Sequence, residues 1–338
     1  MNNNKRVGIR DVAKAANVSI TTISKALNDY PDVSPKTRKK VKALAKKMGY
    51  VPNSYARYMG GIRKKTVALM MSDFKKEDPS GFVFGVLSGL YASCTQNDHS
   101  FILLATSLNK QKESSIIEVC RQNNVDALVT MGFRVDDLYV KQMKEIDIPV
   151  TMIDMEIEGV KANSIYIDNS LAAYDVVKYL ISKGRKNIAM INGSKNAYVS
   201  VERYSGYAKA LLDAGFSLNK NYIKYCNFDE SIAYQNTKDL INDNPEIDAI
   251  FCASDLMAIG TCKAINDLGF KVGSDILVFG FDDIPVSQCL FNGISTVKQN
   301  PYDMGFEAGK SVNKQLLEPD AKKERIVVPH SLIFRCTA

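Results

Sequence analysis

The residues with most chemistry to offer follow short apolar runs. Asp73 and Phe74 come after 67–71, Ser254 and Asp255 after 249–252, and Asp282 and Asp283 after 276–279. Arg203 opens an amphipathic stretch, Glu202-Arg203-Tyr204-Ser205-Gly206-Tyr207. A carboxylate and a guanidinium converging on one cleft can hold vicinal hydroxyls in pairs, and an aromatic ring can stack on a ligand's face. Each aspartate has a second reading as a helix N-cap, and for Asp255 the two readings weigh equally. Catalysis has less to work with. Asp282 and Asp283 are neighbours whose side chains should point apart, so they do not make an acid/base couple. Phosphate-binding glycine loops and a Gly-x-Ser-x-Gly elbow are absent. His99 and His330 are the only histidines, and the seven cysteines form no Cys-x-x-Cys pair, so a metal site is not expected. Sugar hydrolase or isomerase chemistry therefore finds no support, and no cofactor is implied.

A second group of polar residues is packed into the first fifty positions. Ser19 can cap a helix running through Leu27, on which Val18, Ile23, Ala26 and Leu27 face inward. Ile20, Thr21, Ser24, Lys25 and Asn28 then point outward. Short polar side chains and a cation on an exposed helix suit the major groove of DNA, although a solvated three-helix bundle with a cationic surface uses the same residue types. Residues 9–16 supply the preceding helix, and Asn17 tolerates the positive φ of the turn between them. Ser34-Pro35 opens a third helix through Met48, with Gly49 as its C-terminal cap. Residues 1–65 carry 16 Lys and Arg against Asp11, Asp29 and Asp32, a net of +13; the formal +7 of the whole chain thus leaves −6 for 66–338. A basic head on an acidic body points to a polyanion as the head's partner.

These groups must be held by the elements around them. From Thr66 onward, strand-like runs (67–71, 101–104, 127–131, 150–153, 165–167, 188–191, 223–225, 249–252, 276–279) alternate with helical patterns (83–96, 113–123, 171–183, 201–214, 232–242, 256–268). Residues 294–297 then precede a long helix, 302–317, and two further runs, 326–328 and 332–334. Such alternation means parallel sheets with helices on both faces, and nine strands before the last segment suit two sheets. Ligands in such folds sit beyond the carboxyl ends of the strands, so two facing lobes would enclose one cleft.

The ordered set Ile9-Arg10-Asp11-Val12-Ala13-Lys14-Ala15-Ala16-Asn17-Val18-Ser19, Thr22-Ile23-Ser24-Lys25-Ala26-Leu27-Asn28, Val33-Ser34, Thr37-Arg38 and Gly49-Tyr50-Val51-Pro52-Asn53 resembles the head of the lactose-repressor (LacI/GalR) family, and the likeness continues along nearly the whole chain. The resemblance implies an α/β protein with an N-terminal all-α helix-turn-helix head and a two-lobed, periplasmic-binding-protein-like core built on two parallel sheets. It implies a head at 1–51, a hinge helix and linker at 52–65, and an effector-binding core at 66–338. Within the core, one subdomain would take about 66–164 plus 296–326, the other about 165–295 plus 327–338. By the same resemblance Ile20, Thr21 and Lys25 read bases. Ser19, Ser24, Asn28, Ser34 and Thr37 hold phosphates, which set register rather than sequence preference. Lys25 stands where Arg is common, and as a point donor it cannot make Arg's two-pronged contact with guanine. In the hinge, too short to be stable alone in water, Tyr55 and Ala56 lie at the DNA, and Met59 takes the place of a Leu that wedges into the minor groove. Asp282 and Arg203 match the most typical effector-binding positions; Asp168, Ser254, Phe228, Gln299 and Phe82 match positions that often line the pocket. Phe82 and Phe228 have a second reading as core.

The implied protein is a cytoplasmic repressor, acting as a homodimer on a near-palindromic operator and controlled by a small molecule, for which a saccharide is the first reading and a nucleobase the second. The absence of an apolar leader ahead of the basic head weighs against an exported solute receptor. No apolar stretch reaches the roughly 18 residues of a membrane span.

Overall fold

The computed structural model describes residues 7–27, 30–50, 64–72, 80–159 and 162–338, and divides into two units, 1–64 and 65–338.

In the first unit three helices, α1 (Ile9–Ala16), α2 (Ile20–Leu27) and α3 (Pro35–Lys47), close on one small core. Val12, Ala13, Ala16, Ile23, Ala26, Val33, Val41, Ala45 and Tyr50 are buried in it, with Val18, Leu27, Leu44 and Met48 packed alongside. The ends are set by local chemistry. Asn17 ends α1 in the left-handed region (φ 55°, ψ 48°), as its amide side chain permits. Ser19 Oγ accepts the Thr22 N–H (3.0 Å), and Ser34 Oγ accepts the Thr37 N–H (3.2 Å) just before Pro35. Gly49, at φ +66°, follows the end of α3.

The second unit alternates strand and helix. In chain order its main elements begin with β1 (Thr66–Ser72), α4 (Phe82–Gln96), β2 (Ser100–Thr106), α5 (Leu108–Glu113), α6 (Ile116–Gln122), β3 (Ala127–Met131), α7 (Leu138–Gln142), β4 (Val150–Ile153) and β5 (Ala162–Tyr166). They continue with α8 (Asn169–Ser182), β6 (Ile188–Asn192), α9 (Tyr198–Asp213), β7 (Ile223–Tyr225), α10 (Glu230–Asp243), β8 (Ala249–Cys252), α11 (Asp255–Asp267) and β9 (Leu277–Asp282). The last are β10 (Ser295–Lys298), α12 (Pro301–Leu317), β11 (Arg325–Val327) and β12 (Ser331–Ile333). One sheet has the order β11-β5-β4-β3-β1-β2 and the other β12-β10-β9-β8-β6-β7. All recorded pairings are parallel except β10 with β12. Strands such as Ala127–Met131, Ile188–Asn192 and Ala249–Cys252 are buried along their whole length, as parallel strands covered on both faces must be. The expected fold class, a helix-turn-helix head with a two-sheet α/β core, is the one found.

The chain passes between the sheets after β5, after β10, and between β11 and β12. Residues 295–298 pair with β9 in the second sheet, so the passage expected at about 296 lies beyond Lys298. The return expected at 326 lies beyond Val327, which pairs with Tyr166 of β5. The helical pattern at 113–123 corresponds to α6, while α5 is a further short helix ahead of it, the two divided at Ser114–Ser115. There Ser115 and Glu118 form a reciprocal capping box that restarts the helix.

Helix α12 returns to the first lobe and packs on α4 with almost no space between backbones. A Cβ on Gly89 would lie 1.9 Å from the Tyr302 carbonyl oxygen, and one on Gly305 would lie 2.1 Å from that of Val86. Gly305→Ala should therefore push the two helices apart and lower the unfolding free energy by about 2–3 kcal/mol, measured as a reduced urea midpoint. An unchanged midpoint would contradict the close approach.

Candidate functional site

On the head, Ile20 is 43% exposed and Thr21 is also exposed at the start of α2. Lys25 pairs with Asp32, and both side chains are about half exposed. An exposed pair of this kind contributes little to stability, so the ammonium is available to a stronger anion. Ser24 is half-buried on the same helix. Ser19 and Ser34 are occupied as caps, and their hydroxyls also bond the Thr22 and Thr37 hydroxyls (both 2.8 Å). The positions expected at the DNA thus divide into an outward set on α2 and a set at the starts of α2 and α3, where backbone N–H groups gather. Asn28, Tyr55, Ala56 and Met59 lie outside the described residues.

In the core, the carboxyl ends of the strands of both sheets supply the polar residues. Arg203, in α9, is 4% exposed. Its Nε donates to Asn169 Oδ1 (2.9 Å), its Nη1 donates to the Ala253 carbonyl (2.6 Å), and its guanidinium carbon lies 3.6 Å from the Phe281 ring centroid. Burial lowers its pKa, while Asp282 and Asp154 raise it. Asp154, directly after β4 in the other lobe, has a pKa pushed up to about 6 by burial, against the pull of Arg203 and Asn169. One buried cation is therefore shared by carboxylates from both lobes.

Asp282 ends β9 at φ +117° and accepts from Gln299 Nε2 (2.6 Å); Asp283 follows at φ +56° and accepts from Arg335 Nη2 (2.6 Å). The adjacent carboxylates do point apart. Gln299 is 5% exposed, and its Oε1 is buried with no hydrogen-bond partner. Asp255 corrects the sequence reading. It is fully buried, and the cap of α11 is Ser254, whose Oγ accepts the Met257 N–H (3.3 Å). Asp255 Oδ1 accepts the Thr296 hydroxyl (2.6 Å) and Oδ2 the Ile284 N–H (3.0 Å). It is an internal tie between α11, β10 and the loop after β9, and neither caps the helix nor faces the cleft. Burial, then the charge of Asp282, pushes its pKa up to about 7.

A cavity of about 240 Å³ opens where Asp154–Glu156, Tyr166–Asn169, Tyr198 and Glu202 meet. Asp168 lines it while capping α8 through the Leu171 N–H (2.8 Å). Phe82, at the start of α4, and Phe228, at φ +56° after β7, both pack on the apolar core. The Phe228 ring takes the space beside Gly193, where a Cβ would come within 2.0 Å of it. Asp73 and Phe74 lie outside the described residues. Across the cleft, Arg134 and Ala197 form an antiparallel bridge, Val135 N–H donates to the Asn196 carbonyl (3.1 Å), and Asn196 Nδ2 donates to Asp136 (2.9 Å).

Sequence reasoning passed over Asp154, Asn169, Glu202 and Phe281. Asp154 follows a strand just as Asp73 does, so the same rule would have reached it. Phe281 reads as one more apolar strand residue, and only the fold stacks it under Arg203.

Among the described residues no group of three or more His, Cys, Asp or Glu is placed to hold a metal ion, and no helix is long and apolar enough to cross a membrane.

Two measurements follow from this geometry. Arg203→Met leaves Asp154 and Asp282 without their buried cation and should cost about 3–5 kcal/mol at pH 7 in chemical denaturation. Asp255 holds its proton in the folded state up to about pH 7 but only to about pH 4 when unfolded. Its contribution is therefore greatest at low pH and lost as pH rises from about 4 through 7. Asp255→Asn should flatten that part of the pH–stability curve, and an unaltered slope would place the proton elsewhere.

Comparison with known proteins agrees with this architecture. A family model for "Bacterial regulatory proteins, lacI family" matches residues 8–53, and one for "Periplasmic binding proteins and sugar binding domain of LacI family" matches residues 72–336. The HTH-type transcriptional regulator RegA of Clostridium saccharobutylicum is 31% identical over 330 residues, 97% of this chain and 98% of that protein. Catabolite control protein A of Priestia megaterium is 28% identical over the same shares. Among solved structures, the Lac repressor dimer bound to operator and the anti-inducer ONPF superposes with a TM-score of 0.87 at 23% identity, covering 98% of this chain and 99% of that one. The transcriptional regulator CelR–cellobiose complex gives 0.75 at 26%, over 98% and 100%. With its helix-turn-helix head and its two-lobed ligand-binding core, the chain belongs to the LacI family of bacterial transcriptional regulators.

Proposed function

We propose that this chain is a dimeric, operator-binding repressor whose DNA affinity is set by a saccharide bound between the lobes of its core. The observation that carries the reading is the pairing of an outward polar face on α2 with a buried Arg203 shared by carboxylates of both lobes. In this reading 1–51 is the head and 52–65 the hinge. One lobe of the core takes 66–166 with 299–327, and the other takes the remainder. Ile20, Thr21 and Lys25 read base edges, and Ser19, Ser24, Asn28, Ser34 and Thr37 hold phosphates. Tyr55 and Ala56 bring two hinges together over the minor groove, where Met59 wedges a base step. In the core, Arg203 orients Asp282 and Asp154 toward ligand hydroxyls, Gln299 Oε1 accepts one more hydrogen, and Asp73, Phe74, Phe82, Asp168, Phe228 and Ser254 line the site. Asp255 acts behind them. A saccharide fits because its hydroxyls are donors for this row of acceptors, and the sugar-binding description of the matched core and the cellobiose-bound CelR structure support the same class. The protein acts in the cytoplasm, as a regulator and not an enzyme: the adjacent carboxylates diverge into Gln299 and Arg335 instead of flanking a bond to be cleaved.

Ligand binding changes the angle between the lobes and so the spacing of the two hinges. Coupling of this kind is typically about 1–3 kcal/mol and is reciprocal, so operator DNA alters effector affinity by the same factor. Titration of a selected operator should show log affinity falling steeply and linearly with log salt, by about 0.9 per phosphate neutralised. Met59→Gly should weaken operator binding and spare ligand binding. Asp282→Ala should leave a DNA binder that no longer responds. An operator affinity identical with and without a saturating saccharide panel would defeat the sensor half of the reading.

A further inference from the structure

The cavity where the lobes meet holds more hydrogen-bond acceptors than the protein satisfies. Four carboxylates, Asp154, Glu156, Asp168 and Glu202, and the hydroxyls of Tyr166 and Tyr198 line it, and among the described residues no lysine or arginine does. Glu156 is neutralised from outside by Lys323 Nζ (2.9 Å) and Arg325 Nε (2.7 Å). Among the described residues Asp168 and Glu202 have no such cation, and Asp154 has only the Arg203 it shares with Asp282. Arg203 stands behind them, with its Nε and Nη1 already given to Asn169 and the Ala253 carbonyl. Asp154 Oδ1 is shielded from solvent and has no hydrogen-bond partner at all. Asp168 spends one oxygen on the α8 cap, and its charge, after burial, is the second cause that raises the pKa of Glu202. A buried acceptor without a donor and two like charges on one wall are both costly, and the open cavity beside them marks where a ligand could relieve both.

We propose that the effector carries a protonated amine as well as hydroxyls, an amino sugar or similar amine-bearing polyol, with the ammonium facing Asp168 and Glu202 and a hydroxyl donating to Asp154. The proposal rests on the cleft being the effector site and adds the charge of what it accepts. Ligands bearing a carboxylate or phosphate are repelled by the same wall, and neutral hexoses leave Glu202 and Asp168 facing one another.

The test uses the full-length protein at pH 7.5 and low salt, with glucosamine, galactosamine and mannosamine set against their parent hexoses and the matching uronic acids. Calorimetry should find a hexosamine binding at least tenfold more tightly than its parent, with no measurable uronic acid binding. E202Q should reduce hexosamine affinity about tenfold and the parent's by less, since it removes a charge-assisted contact. Without any ligand, E202Q should also raise the Tm by about 1–3 °C, because the like-charge neighbour of Asp168 is gone. A parent hexose or uronic acid that binds as well as the hexosamine, or an E202Q protein with unchanged Tm and unchanged preference, overturns the amine assignment alone. Failure of all three classes to bind, with operator binding intact, overturns it together with the saccharide reading.

Discussion

A guanidinium removed from water needs its charge answered on every side, and the core of this protein is arranged around how that is done for Arg203. Its flat face lies on Phe281, two of its nitrogens donate to Asn169 and the Ala253 carbonyl, and Asp154 and Asp282 supply the opposing charge. In a low-dielectric interior no single partner would suffice. The five groups come from both lobes and from one of the passages between them. The cation therefore fixes local geometry and also records how far apart the lobes stand.

The second crossing carries polar ties of the same sort. Gln299, on the second passage, holds Asp282 at a backbone conformation few non-glycine residues adopt, and Asp255 secures the loop beyond it through Ile284 and Thr296. Within the first lobe, Glu156 meets Lys323 and Arg325 just before and at the start of β11. A ligand seated among such groups, as proposed above, would compete for hydrogen bonds that link the lobes. Differential contact in two states of one cleft is what a binding event needs in order to be felt at the DNA.

Much of this architecture was legible in the residues. Runs such as 127–131 and 150–153 coincide with strands because each is a short apolar stretch closed off by charged or turn-forming neighbours, Asp126 and Gly132 for the one, Pro149 and Asp154 for the other. Asn17, Ser19 and Ser34 marked the turns and caps of the head because those functions need their particular side chains. What escaped detection depended on distant partners. Asp255 resembles a helix cap in sequence, and only the arrival of Thr296 and Ile284, some 30–40 positions later, makes it an internal tie. Residues 295–298 looked like the start of the return to the first lobe, yet strand pairing with β9 outweighed their proximity to α12. Phe281 became a cation's platform through packing that no local pattern encodes.

The interleaving of the two sheets has a bearing on synthesis at the ribosome. The head closes its core entirely within the first fifty residues, through contacts near in sequence. The first sheet, by contrast, waits for α12 and β11, and the second for Thr337, whose hydroxyl donates to the Val278 carbonyl and accepts the Ser295 N–H. Domains with local contacts form early and those with remote pairings late. During translation the nascent chain should thus display a finished helical head while both halves of the core are still lacking essential strands.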